Sequence, residues 1–367
     1  MIHKDLNRRL LWSHCLSKKM RGRDAPVRVA DACCGIQSQD IRESLSSFWA
    51  RVDGFSDTDV VSELKPGGSL VRTWAVRSTM HTIPSKDYYI YILGGASERM
   101  LKWIDTRAKK RNYPPREERR RLLYEPILDE INGKAVTAKE IRSFMDGKAR
   151  QLGLREGVWS GLGDMAFSGL LVHAGKRGPN SLWMCSDDWI PRPKTPPDRQ
   201  TCRVELLRKY IARHGPVSKE DLMYWAYLSK RQLDEALNNI ASDLVEVKMK
   251  NSREPYIALD QNIEQELPPP PEAIVLPKYD SLMLSLKDKS RFMDMGYYKR
   301  IFPKIPVGMV KPTVLLEGCV AATWRRVAKK KAASIEVQPF KKSQPTTRRP
   351  LRSNSRTTAN TADSRPL

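Results

Sequence analysis

The chain has 367 residues, and 65 Lys+Arg against 42 Asp+Glu give it a formal net charge of +23. Such a charge indicates a polyanionic partner. Nucleic acid is favoured over a membrane, because no apolar run reaches the roughly 18 residues that span a bilayer. The six cysteines lack C-x-x-C spacing and form no cluster with the five histidines, which argues against a zinc or iron-sulfur site. With no P-loop or G-x-G-x-x-G motif either, we expect no metal, no cofactor and no bound nucleotide.

The positive charge is spread along the chain. Residues 325–367 contain 12 Lys+Arg and 2 Asp+Glu, which leaves +13 on residues 1–324. The first residues also lack the apolar segment of a signal peptide. We therefore expect a cytoplasmic, nucleoid-associated monomer whose folded part is basic in its own right.

Residues 1–130 predict an N-terminal winged-helix unit. Its expected helices are 5–19, 25–36, 42–52 and 57–65, and its expected strands are 69–74 and 76–83. Gln37 and Gln39 follow the second helix. Their side chains share a face only if the backbone there is extended, because the side-chain period is two in a strand and 3.6 in a helix. The alternative is two solvated glutamines where a helix ends.

Residues 131–197 and 198–266 predict two further winged-helix units. In the first, Thr137 and Glu140 form a capping-box start, and the basic turn 175–180, with Lys176 and Arg177, is typical of a DNA-binding wing. In the second, a helix at 204–214 precedes helix starts at Ser218 and Ser229 and a hairpin of 244–247 with 256–259.

Residues 267–340 predict a small β-rich segment with a hairpin of 313–316 and 320–325. Residues 341–367 are rich in Ser, Thr, Pro and Arg, so they cannot bury enough apolar surface to offset the cost of ordering, and we expect a disordered basic tail. The sequence therefore predicts an α+β fold, mainly helical, with tandem winged-helix units and a small C-terminal β segment.

Several sequence blocks occur in an order that resembles the winged-helix DNA glycosylases of the AlkZ and YcaQ type. The resemblance covers about residues 5–340 and rests on Leu6 to Leu10, Gly35 to Gln39, Phe48 to Phe55, Leu70 to His81, Val275 to Asp280, Lys287 to Ser290, Lys311 to Leu315 and Thr323 to Arg326. The chain departs from the family at Ser78, where Gly is usual. It also departs after Phe340, where relatives usually continue into a further helix with acidic residues, and this puts its stability and activity in question.

The resemblance implies base excision repair by a monofunctional hydrolytic glycosylase of the Gln-x-Gln subgroup. Its substrate would be double-stranded DNA with alkylated purines of the N7-alkylguanine type, including interstrand crosslinks. Such a base already carries positive charge, so the enzyme need only position a water and stabilise a sugar resembling an oxocarbenium ion. The side chains of Gln37 and Gln39 suit that task, because each amide both accepts and donates hydrogen bonds.

Other residues near the pair have less specific roles. Arg72 and Arg77 are expected to contact the DNA backbone, because their guanidinium groups match phosphate geometry. His81 either touches the lesion or a phosphate, or is a structural histidine at a strand end. Asp40 is expected to cap a helix rather than to catalyse. Asp280 and Lys289 are interpreted as structural, and the sequence distinguishes no lysine as a Schiff-base former.

A second class of function is a non-catalytic winged-helix regulator, for which the basic charge and the repeated helix-hairpin units suffice. The Gln pair would then be incidental. A third class, RNA binding, lacks an aromatic strand of the kind that stacks on RNA bases. The Gln-loop match favours the enzyme.

Overall fold

The computed structural model describes residues 3–341 except 155–160, 192–194, 196, 250–251, 253, 260–266, 306–307 and 330–331. The helices are α1 His3–Ser13, α2 Ala25–Ala32, α3 Ile41–Trp49, α4 Asp57–Val61, α5 Tyr88–Gly94, α6 Ser97–Lys109, α7 Arg116–Arg119, α8 Glu125–Glu130, α9 Ala138–Gln151, α10 Gly161–Phe167, α11 Ser186–Trp189, α12 Arg199–His214, α13 Lys219–Ala226, α14 Lys230–Asn238, α15 Ser281–Ser285 and α16 Tyr298–Ile301. The strands are β1 Ile36–Gln37, β2 Leu70–Trp74, β3 Met80–Pro84, β4 Val136–Thr137, β5 Leu171–Arg177, β6 Asn180–Cys185, β7 Leu244–Val247, β8 Tyr256–Leu259, β9 Ala273–Leu276, β10 Thr313–Leu316, β11 Cys319–Lys329 and β12 Ala332–Pro339. Nearly all of the predicted tail, from residue 342 onward, lies outside the described residues.

Left-handed residues explain why several N-terminal elements are shorter than predicted. Helix α1 ends at Ser13 rather than near 19, because Cys15 has a φ of 55°. Helix α2 ends at Ala32 rather than near 36, because Cys34 and Gly35 have φ values of 51° and 96°. These conformations cannot continue a right-handed helix. A single left-handed residue hardly changes the periodicity of apolar residues, so the predicted helices extended past these turns.

One six-stranded sheet joins the first two predicted units. Its strand order is β1-β3-β2-β5-β6-β4, so strands from 1–130 and from 131–197 lie side by side. The two halves meet where Arg72 of β2 pairs with His173 of β5. Strand β1, which contains Gln37, is at one edge. The boundaries between units, placed from the sequence at residues 130, 197, 266 and 340, remain predictions.

The third unit has the elements expected of a winged helix. Helices α12, α13 and α14 precede the β7–β8 hairpin, whose bounds match those predicted. The capping boxes at Thr137, Ser218 and Ser229 are present, each with its side-chain bonds. A four-stranded sheet of order β12-β11-β10-β9 forms the C-terminal segment. The predicted α+β fold class is therefore confirmed.

The main hydrophobic core packs the units together beneath the sheet. It includes Tyr88 and Tyr91 of α5, Tyr210 of α12, Trp225 of α13 and Phe292 from the segment after α15, all of them buried. The turn between β2 and β3 contacts α13, and α5 contacts α12. A helix of the third unit thus supports the turn that contains Arg77. In the described parts of the chain, no helix combines the length and the apolar character needed to cross a membrane.

Candidate active site around Gln37 and Gln39

The segment that carries the Gln pair is extended at its start and capped at its end. Ile36 and Gln37 pair with Thr82 and His81 of β3. The N–H of Ser38 then donates to the Met80 carbonyl at 2.7 Å. Asp40 caps α3, because its carboxylate accepts from the N–H of Arg42 at 2.9 Å. The predicted capping role of Asp40 is confirmed.

The amide of Gln37 is buried and has a fixed orientation. The side chain is 7% exposed, and its Oε1 accepts from Nη2 of Arg77 at 2.9 Å. A guanidinium only donates hydrogen bonds, so the amide atom facing Arg77 must be the oxygen. Its backbone N–H donates to Oγ of Ser281 at 3.3 Å. Main chain and side chain are therefore both held.

Gln39 is exposed, in contrast to Gln37. Its Oε1 accepts from the backbone N–H of Met80 at 3.3 Å. A backbone N–H can only donate, so this amide too must present its oxygen to its partner. The structure places one predicted catalytic amide inside the protein and the other at its surface, with both oxygens facing donors.

Ser38 fastens the loop between the two glutamines. Its hydroxyl lies 2.7 Å from those of Ser44 and Thr82. Its carbonyl accepts from Nε of Arg72 at 3.0 Å and from Nη2 at 2.6 Å. Sequence analysis missed this role, because a small polar residue between two glutamines has no motif of its own.

Arg72 is buried, and its guanidinium contacts other parts of the protein. The residue is 6% exposed, and its Nη1 lies 2.7 Å from Nε2 of His173. Burial and the charge of Arg72 lower the pKa of His173 to about 3, so the imidazole is neutral and accepts from the guanidinium. All three nitrogens of the guanidinium thus have partners inside the protein, and the phosphate contact predicted for Arg72 stays a prediction.

His81 is a buried histidine with both ring nitrogens engaged. Burial and the charge of Arg77 lower its pKa to about 3, so the ring is neutral. Nδ1 lies 2.9 Å from the Thr79 carbonyl and therefore carries the proton. Nε2 is then free to accept from Arg77, at 3.3 Å. Of the two alternatives left open, these contacts match the structural histidine.

Arg77 connects the Gln pair to the third unit. Its backbone is left-handed, with a φ of 54°, and its guanidinium lies inside the protein. Nη1 is buried and has no hydrogen-bond partner among the described residues. Burial lowers the pKa of Arg77, and Tyr224 and Tyr210 are near enough to oppose that effect. Among the described residues, no carboxylate forms an ion pair with this guanidinium.

A buried lysine lies behind Arg77. Lys289 is 2% exposed, donates to the Leu286 carbonyl, and has its Nζ 5.1 Å from the Tyr224 ring and 5.3 Å from the Phe302 ring. Burial, followed by the charge of Arg77, lowers its pKa to about 7. Sequence analysis read this lysine as structural, and nothing in the sequence around it indicates its burial.

Two sequence blocks meet beneath the loop. Asp280 binds Arg51 through both oxygens, at 2.7 and 2.8 Å, and both side chains are fully buried. The hydroxyl of Ser47 donates to the same carboxylate at 2.6 Å. The next residue, Ser281, holds Gln37 and also donates to the Gly35 carbonyl at 3.2 Å. Arg51 and Asp280 each belong to a sequence block that resembles the glycosylase family, and this shared membership could have indicated that they meet.

The predicted wing residues lie elsewhere. Lys176 and Arg177 are exposed at the end of β5. Arg177 contacts Glu140 at 3.7 Å and the Ala135 carbonyl at 3.1 Å. No contact between described residues joins them to the Gln pair. In the same described ranges, no group of three or more His, Cys, Asp or Glu side chains could hold a metal ion.

Comparisons with known proteins agree on one family. A family model for DNA glycosylase AlkZ-like proteins matches residues 30–358. An interstrand DNA cross-link repair glycosylase from Streptomyces sahachiroi is 24% identical over 329 residues, 85% of this chain and 84% of that protein. The solved structure of Streptomyces sahachiroi DNA glycosylase AlkZ superposes with a TM-score of 0.77 at 18% identity, covering 94% and 93% of the two chains. Since the family model spans most of its length, the chain belongs to the AlkZ-like DNA glycosylase family.

Proposed function

We propose that this glycosylase hydrolyses the N-glycosidic bond of alkylated purines of the N7-alkylguanine type in double-stranded DNA. The observation that carries the proposal is that donors fix both amide oxygens, Arg77 for Gln37 and Met80 for Gln39. A carbonyl oxygen has two lone pairs, so each amide keeps one with which to accept a hydrogen bond from water. Such a pair positions a water without taking up its proton.

The chemistry needs no strong acid or base. An N7-alkylated guanine carries positive charge, and the electrons of the breaking C1′–N bond neutralise it as it leaves. The sugar becomes like an oxocarbenium ion, and the water oxygen attacks C1′ while its proton passes to solvent. The two glutamines contribute by positioning, which is worth several kcal/mol in well-oriented reactions.

The proposed substrates include interstrand crosslinks, because a relative of this chain is named for the repair of such crosslinks. A crosslinked base cannot be withdrawn fully into a closed pocket, because it remains tied to the other strand. Gln39 is exposed two residues after the edge strand β1, a position that suits such a lesion. The exposed Lys176 and Arg177 are proposed to contact phosphates, and a phosphate contact of Arg77 would require its buried Nη1 to become accessible when DNA binds. The protein would act as a monomer on nucleoid DNA.

Hydrolysis is proposed rather than lyase chemistry, because a lyase needs an accessible amine. Lys289 has a pKa suited to a nucleophile, but its Nζ lies beneath two aromatic rings and donates to a carbonyl. With borohydride present, no covalent adduct should form on lesion-bearing DNA. An adduct that disappears in Lys289→Met would refute hydrolysis while leaving the glycosylase intact.

The direct test replaces each glutamine. Gln37→Ala and Gln39→Ala should each slow release of N7-methylguanine from duplex DNA by at least about a hundredfold while DNA affinity stays nearly unchanged. Gln151→Ala, at an exposed helix end, serves as the matched control. Base release by both variants at the parent rate would show that the amides do not position the water.

A further inference from the structure

A cavity of about 640 Å³ lies beside α1. Its walls come from α1, from the segment between α1 and α2, from α2 and from the end of α12. Neither Gln37 nor Gln39 is among its described lining residues, so it is distinct from the candidate active site. Its volume lies in the range typical of small-ligand sites, roughly 300–1,000 Å³. The cavity therefore has room for a ligand of the size of a nucleotide.

The described lining of this cavity has six basic side chains and no acidic one. The basic residues are Arg9, Lys18, Lys19, Arg21, Arg28 and Arg213. Three of the arginines also pair with aspartates that lie outside the lining. A concave surface with charge of one sign attracts ligands of the opposite sign, and guanidinium groups match the geometry of phosphate. The lining therefore favours a ligand that contains phosphate groups.

Part of this positive charge is not balanced within the protein. Burial lowers the pKa of Arg9 and of Lys19, and the charges of Asp5 and Asp53 oppose that effect without cancelling it. A nearby negative charge favours the charged form of a basic side chain. A phosphate bound in the cavity would therefore stabilise both cations.

Aromatic rings accompany the basic side chains. Trp12 lines the cavity and is 36% exposed. Lys19 has its Nζ 4.6 Å from the ring centroid of Trp49, which is 53% exposed. Basic side chains together with exposed aromatic rings are typical of surfaces that bind single-stranded nucleic acid, where each base stacks on a ring. In a duplex the faces of the bases are covered by their neighbours, so stacking of this kind requires an unpaired base.

We propose that this cavity binds an unpaired nucleotide of single-stranded DNA. The base stacks on Trp12, and the phosphates on either side contact Lys18 and Arg9. The inference goes beyond the proposed function, because it concerns a second site and a strand that is not base-paired.

The first experiment measures the affinity of a fluorescein-labelled oligothymidylate of about eight nucleotides by fluorescence anisotropy. Trp12→Ala should weaken binding at least about tenfold, because the base loses its stacking partner. Trp103→Ala is the matched control: this ring is 40% exposed on α6, with the guanidinium carbon of Arg107 4.6 Å from its centroid. Its affinity should change by less than about twofold. Equal losses in the two variants would overturn the proposal.

The salt dependence of the same binding tests the phosphate contacts. Lys18→Gln removes one exposed cation of the lining, and each phosphate contact to a single strand contributes about 0.7 to the slope of log K against log salt. The slope should therefore become shallower by about that amount. Lys139→Gln, at an exposed position on α9, should keep the slope of the parent. An unchanged slope in Lys18→Gln would overturn the proposed phosphate contact.

Photochemical crosslinking locates the strand on the unaltered protein. An oligothymidylate with one 5-iodouracil, irradiated in complex with the parent, should become attached to the tryptic peptide 10–18, whose one tryptophan is Trp12. Attachment to other peptides alone would overturn the assignment. An excess of about tenfold of dTTP should leave the strand bound, and displacement would instead assign the cavity to free nucleotides. None of these measurements requires base release, so they stand apart from the proposed function.

Discussion

Two buried guanidinium groups support the Gln37 segment, that of Arg77 directly and that of Arg51 through Asp280, whose neighbour Ser281 bonds Gln37. They differ in how their charge is balanced. The guanidinium of Arg51 is bound by both oxygens of Asp280 and by the His14 carbonyl, so all three of its nitrogens have partners. That of Arg77 contacts Gln37 and His81 through Nη2 alone, and Nη1 has no partner in the described structure. Burial disfavours the charged form of both side chains. For Arg51 the charge of Asp280 more than offsets the effect of burial, so the pKa is raised, whereas for Arg77 burial dominates and the pKa is lowered.

This difference in charge balance indicates that Arg51 and Arg77 have different roles. A buried charge without a counter-charge destabilises a fold, so a protein keeps one only where something else requires it. Arg51 fastens the block that contains Asp280 to the N-terminal helices, which is a structural task. Arg77 fixes the amide of Gln37 through Nη2. We infer that Arg51 contributes mainly to stability and Arg77 mainly to base release.

The largest expected effect is on stability, from Asp280→Asn. The amide would leave Arg51 buried without a counter-charge, and breaking a buried pair in this way typically costs about 3–5 kcal/mol. Urea unfolding measures the loss. Asp53→Asn, which breaks the exposed pair with Arg21, should cost less than about 1 kcal/mol. Similar losses in both variants would contradict the structural role of Arg51.

Arg77→Met should slow base release by about thirtyfold or more, because Gln37 loses the donor that orients its amide. Stability should hold or rise slightly, because an unbalanced buried charge is removed. Arg42→Met, at an exposed position beside the Gln segment, is the control.

A double-mutant cycle tests whether Arg77 acts through Gln37. In the Gln37→Ala background, Arg77→Met should have little further effect, because the group that it orients is gone. Full additivity of the two substitutions would show that Arg77 works independently of Gln37.

Lys289→Met should change how stability depends on pH. The pKa is about 7 in the folded protein against 10.5 for the ordinary side chain, so between these values the unfolded chain binds the extra proton. The stability of the parent should therefore rise with pH in this window, by on the order of 2 kcal/mol from pH 7 to 9. The variant should lose that rise, whereas Lys287→Met, at an exposed position, should keep it. Parallel pH profiles for the parent and Lys289→Met would contradict the assignment.

The smallest effect is expected from Ser78→Gly. Ser78 has a φ of 57°, a left-handed conformation that disfavours side chains, and its hydroxyl is buried without a partner in the described structure. Glycine should raise the free energy of unfolding by about 0.5–1 kcal/mol. Ser62→Gly, where φ is −65°, should instead lower it. A loss of stability in Ser78→Gly would show that the serine makes a compensating contact.

Much of this architecture could be predicted from the sequence, and the exceptions have physical causes. The capping boxes, the β7–β8 hairpin and the capping role of Asp40 depend on neighbouring residues, so local pattern sufficed. The enzyme class followed from the order of the family blocks, and the regulator alternative is wrong given the family. The balance of buried charge around Arg77, Lys289 and Arg72 depends on contacts between distant segments. The unusual Ser78, by contrast, was visible in the sequence, and its left-handed backbone explains why glycine is usual there.

The shared six-stranded sheet makes the first half of the chain a candidate for fragment complementation. Residues 132–134 form an exposed turn between strands that belong to the two halves of that sheet. A chain cut there would yield one piece with β1, β2 and β3 and another with β4, β5 and β6. Each piece would expose a strand edge that only the other covers. Separately expressed halves would then reassemble around the pairing of Arg72 with His173, and base release would report their association.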